Sequence, residues 1–79
     1  MSPKLPSATP RKVIKALKKI GYVFHHQKGS HVFLFNPAVP GRLVNVPYHN
    51  RDLKKGTLKI ILKQVSQTGM EPNRLIELL

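Results

Sequence analysis

Tyr22-Val23-Phe24-His25-His26-Gln27-Lys28-Gly29-Ser30-His31-Val32-Phe33-Leu34-Phe35 is the stretch that decides the fold. Aromatic and β-branched residues crowd its two ends, and Lys28-Gly29-Ser30 between them suits a reversal. It therefore reads as two strands, Tyr22 to Gln27 and His31 to Phe35, joined by a tight turn. Asn36-Pro37-Ala38-Val39-Pro40-Gly41 follows as a loop, by its two prolines and its glycine. Arg42 to Val46 makes a third strand, which Pro47 stops. Three short consecutive strands with short connections favour an antiparallel meander.

Helices flank this meander. Thr9-Pro10 is a start signal, a hydroxyl at the N-cap followed by a proline whose missing N–H costs nothing at the first helical position. Val13, Ile14, Leu17 and Ile20 then recur at helical spacing, with Arg11, Lys12, Lys15, Lys18 and Lys19 outside the stripe. The first helix is expected over residues 10 to 20, ended by Gly21. A second is expected from about Thr57 to Gln67, with Leu58, Ile61, Leu62 and Val65 as its apolar stripe. Pro72 to Leu79 reads as a last helical turn or two, after Gly69 breaks the second helix. The order is αβββα with a short C-terminal helix, an α+β class in which the helices cover one face of a three-stranded antiparallel sheet. Residues 1–8, rich in Pro and Ser, read as a flexible lead, and 9–79 as a single domain. The same order of elements is that of double-stranded RNA-binding domains.

Charge narrows the function. Fourteen Lys and Arg oppose three acidic residues, a formal net charge of +11, which directs the molecule at a polyanion. Asp52, Glu71 and Glu77 are the only carboxylates, too few for a two-metal phosphodiesterase site or for paired-carboxylate glycosidase chemistry. No cofactor or metal is expected. Cysteine is absent and no apolar run approaches a bilayer span, so a cytoplasmic protein without membrane attachment is expected.

Four histidines are the candidates for chemistry. His31 sits at the start of the second strand beside a glycine turn, either as a plain strand-end residue or as a general acid or base. RNA carries its own nucleophile in the 2′-OH, so proton transfer alone can cleave it, whereas DNA lacks that route. Both alternating sets of His31 to Phe35 are largely apolar, leaving either sheet face open to the imidazole. Ser30 points away from His31 if the strand alternates, which argues against a serine nucleophile and for a turn or phosphate role. His49, two residues past Pro47, emerges at the sheet end where the second strand begins and could approach His31 as its partner. Alternation sends one of His25 and His26 to each face. Lys54-Lys55-Gly56-Thr57 gathers two cations, a glycine and the free N–H groups of a helix start, a seat for phosphate. Lys28 can hold the scissile phosphate. Tyr22, Phe24, Phe33, Phe35 and Tyr48 are expected in the core, although Tyr48 can also stack on a base.

Gly21-Tyr22, Lys28-Gly29-Ser30-His31, Val46-Pro47-Tyr48-His49 and Lys55-Gly56-Thr57-Leu58 through Ile61-Leu62-Lys63-Gln64 occur in this order. The set resembles the HicA family of toxins, small mRNA interferases of toxin–antitoxin modules, from about Thr9 to Leu79. The resemblance implies a fold like a double-stranded RNA-binding domain and translation-independent cleavage of mRNA. It implies that His31 is catalytic and that a HicB-type antitoxin binds the toxin and blocks its site. The expected function is thus a metal-independent endoribonuclease. In it His31 is catalytic with His49 assisting, and Lys28, Gly29, Ser30, Lys54, Lys55 and Thr57 hold RNA. The alternative is a non-catalytic RNA-binding module of the same fold.

Overall fold

The helix-start chemistry of Thr9-Pro10 operates as read. The Lys12 N–H donates to Thr9 Oγ1 at 3.3 Å, and α1 runs Pro10–Lys19. In the computed structural model, which describes residues 5–79, five further elements follow. They are β1 (Val23–Lys28), β2 (His31–Phe35), β3 (Leu43–Pro47), α2 (Lys55–Gln67) and α3 (Pro72–Ile76). The strands pair antiparallel in the order β1-β2-β3, giving the αβββα arrangement expected, with α3 as the short C-terminal helix. Gly29 and Ser30 form the β1–β2 reversal, and Gly29 alone takes a positive φ, +57°. A two-residue hairpin needs such a residue to match the twist of its strands, and glycine adopts it without a Cβ clash. The turn is therefore shorter than Lys28-Gly29-Ser30, because Lys28 remains in β1 opposite His31.

One face of the sheet carries the core. Val32, Leu34, Val44 and Val46 are buried there under Val13 and Leu17 of α1 and Leu58, Ile61, Leu62 and Val65 of α2. Leu75 of α3 completes the cluster. Of residues 1–8, read as a lead, 1–4 lie outside the described residues. Ala8 is buried, Leu5 packs against the core, and the Leu53 N–H donates to the Ala8 carbonyl at 2.8 Å.

Tyr22 is a core residue but not a strand residue; β1 begins after it. Its phenol bonds the Thr68 hydroxyl at the end of α2, and that hydroxyl donates to the Val65 carbonyl at 2.7 Å. With its own proton committed to Val65, Thr68 Oγ1 accepts from Tyr22. Burial pushes the Tyr22 phenol above its usual value, because the charged phenolate is disfavoured away from water.

Thr68→Val removes the acceptor and strands a buried hydroxyl, so unfolding free energy should fall by about 1–3 kcal/mol. Adding Tyr22→Phe, which removes the stranded group, should restore part of the loss; denaturant melts of the two single variants and the double variant check this. Because the folded phenol titrates above its unfolded value of about 10, its contribution is intact below that pH. That contribution is lost as pH rises through the folded value, and the alkaline melts of Tyr22→Phe should lack it.

Candidate active site

Pleating sends every second residue of β2 away from the helices. The cross-strand partners on that open face form three rows. Lys28, His31 and Pro47 make the first, His26, Phe33 and Asn45 the second, and Val23, Phe35 and Leu43 the third. His31 is exposed in the first row. Its Nδ1 lies 3.0 Å from Asn45 Oδ1. An amide oxygen only accepts, so Nδ1 carries the proton and the neutral ring turns a lone pair outward at Nε2. Asn45 is held in turn from the helix layer, its backbone N–H donating to Gln64 Oε1 of α2 at 3.0 Å. That bond also satisfies a donor on the outer edge of β3.

His49 leaves the same end of the sheet. Pro47 stands opposite His31, and the Tyr48 N–H donates to the Ser30 carbonyl. The His49 ring is engaged separately from His31, its Nδ1 accepting the Arg51 N–H at 3.1 Å. The neutral ring therefore keeps its proton on Nε2, the opposite tautomer to His31. His49 lines two clefts. One, of about 390 Å³, has Thr9, Arg11, Tyr48 and Asn50 as its other walls. The second, of about 510 Å³, is lined by Pro47, Asn50, Arg51, Asp52, Lys54 and Thr57 as well. Neither lining includes His31.

The second cleft contains the start of α2. That helix begins at Lys55, two residues before the expected Thr57, because nothing in Lys55-Gly56 forbids a helical first turn. Lys54 occupies the cap position and its side chain has no acceptor to offer the first-turn N–H groups. Lys54 and Lys55 are exposed and Thr57 is half-buried. Lys28, Gly29 and Ser30 are exposed beside His31 at the hairpin. The eight residues singled out from sequence lie at two places, the His31 hairpin and the stretch from His49 to the start of α2. In the latter, His49, Lys54 and Thr57 line the second cleft and Lys55 opens the helix.

Two expectations are corrected, and one residue was missed. His25 and His26 do not split between faces: a bulge between Phe24 and His26 inserts one residue into β1, and both rings lie on the open face. Their Nδ1 atoms are 2.6 Å apart, so one proton is shared between them. His26 stacks on Phe33, with ring centroids 4.4 Å apart and planes within 5°, and His25 meets Phe35 edge-on at 5.6 Å. The aromatics are not core except for Tyr22: Phe33 and Phe35 are half-buried on the open face, and Phe24 and Tyr48 are 52% and 39% exposed. Helices cover only one side of the sheet, so Phe33 and Phe35 have nothing to be buried beneath. Phe24, opposite Leu34 on the helix side, is exposed on the edge strand β1. Asn45 was missed altogether, although a lone polar residue in an apolar strand is a signal for the uncovered face.

Among the described residues no group of three or more His, Cys, Asp or Glu converges as metal ligands. None of the described helices is long and apolar enough to cross a membrane.

A helix, a three-stranded antiparallel sheet and a second helix make a small α+β domain with the arrangement of double-stranded RNA-binding domains. The family described as the HicA toxin of bacterial toxin–antitoxin matches the chain over residues 10–66, from the first residue of α1 into the last turn of α2. The chain belongs to the HicA toxin family. A toxin of such a module has an antitoxin as its partner. No curated protein matches the chain at a significant level.

The Asn45 contact makes a direct prediction. In Asn45→Ala the neutral His31 ring should lose its single tautomer and populate both, which nitrogen NMR of the labelled imidazole reads directly. An unchanged Nδ1–H signal in that variant would show that Asn45 does not set the proton's place.

Proposed function

We propose that this toxin is an endoribonuclease that cleaves mRNA by proton transfer, with His31 as the general base toward the ribose 2′-OH. The observation that carries the reading is the exposed His31 ring with its Nδ1 proton given to Asn45, which leaves a lone pair at Nε2 facing solvent. As the base takes the 2′-OH proton, the 2′ oxygen attacks the adjacent phosphorus and the bond to the 5′ oxygen breaks. The products are a 2′,3′-cyclic phosphate and a free 5′-OH. The leaving oxygen takes up a proton, from water or from the imidazolium formed in the first step.

His49 assists from the neighbouring cleft as a hydrogen-bond donor, its Nε2–H available because Nδ1 is taken by Arg51. Lys28 stands opposite His31 in the register and stabilises charge developing on the phosphate, with the Gly29-Ser30 turn beside it. Lys54, Lys55 and Thr57 at the start of α2 hold a flanking phosphate. No step in this scheme calls on a metal or a cofactor. A HicB-type antitoxin silences the activity by covering the same basic surface, where its own acidic groups replace the phosphates.

The test is cleavage of a long single-stranded RNA by the purified toxin in excess EDTA. The parent should cut, and His31→Ala should be slower by roughly 10²–10⁴-fold while retaining its circular dichroism and RNA binding. Bound RNA with no product from the parent would favour a non-catalytic RNA-binding module, and undiminished cutting by His31→Ala would remove the histidine mechanism.

A further inference from the structure

The open sheet face is unusual for a strongly basic domain, because its middle is aromatic. His26 and Phe33 already form a parallel stack in the second row, His25 and Phe35 an edge-on pair beside the third, and Val23 and Leu43 flank them at 40% and 37% exposure. None of these groups belongs to the core, and none is needed to transfer a proton at His31. We infer that this face is a stacking platform for the bases of unpaired RNA, so that the substrate is single-stranded and is fed to His31 along the sheet.

Three features of the face favour that occupant. First, the first and second rows are two residues apart along β2, about 7 Å, so a base resting on His26 or Phe33 places a neighbouring phosphodiester by His31. Second, charge on the face is complementary to a phosphate chain. Lys28 lies in the first row, and none of the residues that make up the three rows is acidic. Third, flat π-faces accept any base, but only one whose own faces are free. Within a duplex each base is already stacked on both sides, so a paired substrate has nothing to give this surface. The fold type suggests duplex RNA, and the chemistry of this face points to the single strand instead.

The inference rests on the ribonuclease reading for what happens at His31, but not for the binding itself, and the experiment keeps the two apart. In a His31→Ala background, fluorescence anisotropy is measured with a labelled oligouridine, an abasic oligomer of the same length and a blunt RNA duplex. Oligouridine should bind more tightly than either. Adding Phe33→Leu should weaken oligouridine by roughly 5- to 100-fold, the range expected for one lost stack, and leave the abasic oligomer unchanged. Phe33→Tyr, which keeps a ring, should restore the affinity. His26→Leu is the second variant if Phe33→Leu fails to fold. Equal affinity for oligouridine and the abasic oligomer, duplex bound as tightly as the single strand, or no effect of losing the ring would each overturn the platform. Any of these would leave the apolar face to a protein partner. Ring-dependent binding in a toxin whose parent cuts nothing would keep the platform and discard the ribonuclease.

Discussion

The burial of Val32 and Leu34 on one side of β2, against Val44 and Val46 of β3, is the constraint from which the rest follows. Each such side chain contributes about 1.5–3 kcal/mol when taken from water. A one-residue slip of either strand would turn its whole aliphatic set to solvent, at a cost comparable with the stability of a domain this size. The register is therefore fixed by the helix-facing side. The position of His31 is a consequence, since a residue of the opposite parity at the start of β2 has only the uncovered face to occupy. Chemistry on that face needs no stabilising interactions of its own to keep it in place.

The second constraint is charge. Arg11, Lys12, Lys15, Lys18 and Lys19 are all exposed on α1, and the chain holds three carboxylates in total. Such a molecule repels itself, and its long-range field draws in anything polyanionic. Association with RNA and with an acidic antitoxin would relieve the same repulsion over overlapping surface. On the proposed reading, competition between the two would follow from charge alone, without a conformational switch.

Much of the fold was legible because its signals are local. Thr9-Pro10, the apolar stripes of α1 and α2, and Gly29 in a two-residue reversal each act within a few residues of themselves. That His31 and His49 lie at one sheet end was legible because a meander puts them there. The faces were harder. An alternation argument holds only while the period stays at two, and the inserted residue at His25 breaks it with no composition cue. Nor does apolar content reveal which side of a sheet is covered when both sides are apolar. That takes knowing that two helices suffice for one face only. Tyr22 and Thr68 illustrate the remaining gap, a buried hydroxyl pair 46 positions apart that no local pattern announces.

The histidines also show what a carboxylate-poor chain does about orientation. Imidazoles are commonly set by an acidic partner, but here His31 is set by an amide oxygen and His49 by a backbone N–H. Two neutral partners of opposite polarity select opposite tautomers, a lone pair outward on one ring and a proton outward on the other. A carboxylate in place of Asn45 would fix the same tautomer of His31. It would also put a negative charge one row from the place the proposed mechanism gives the phosphate, and would repel a polyanion that the rest of the basic surface attracts. In the proposed role of a base toward RNA, the uncharged acceptor would orient the ring without opposing the approach of the phosphate chain.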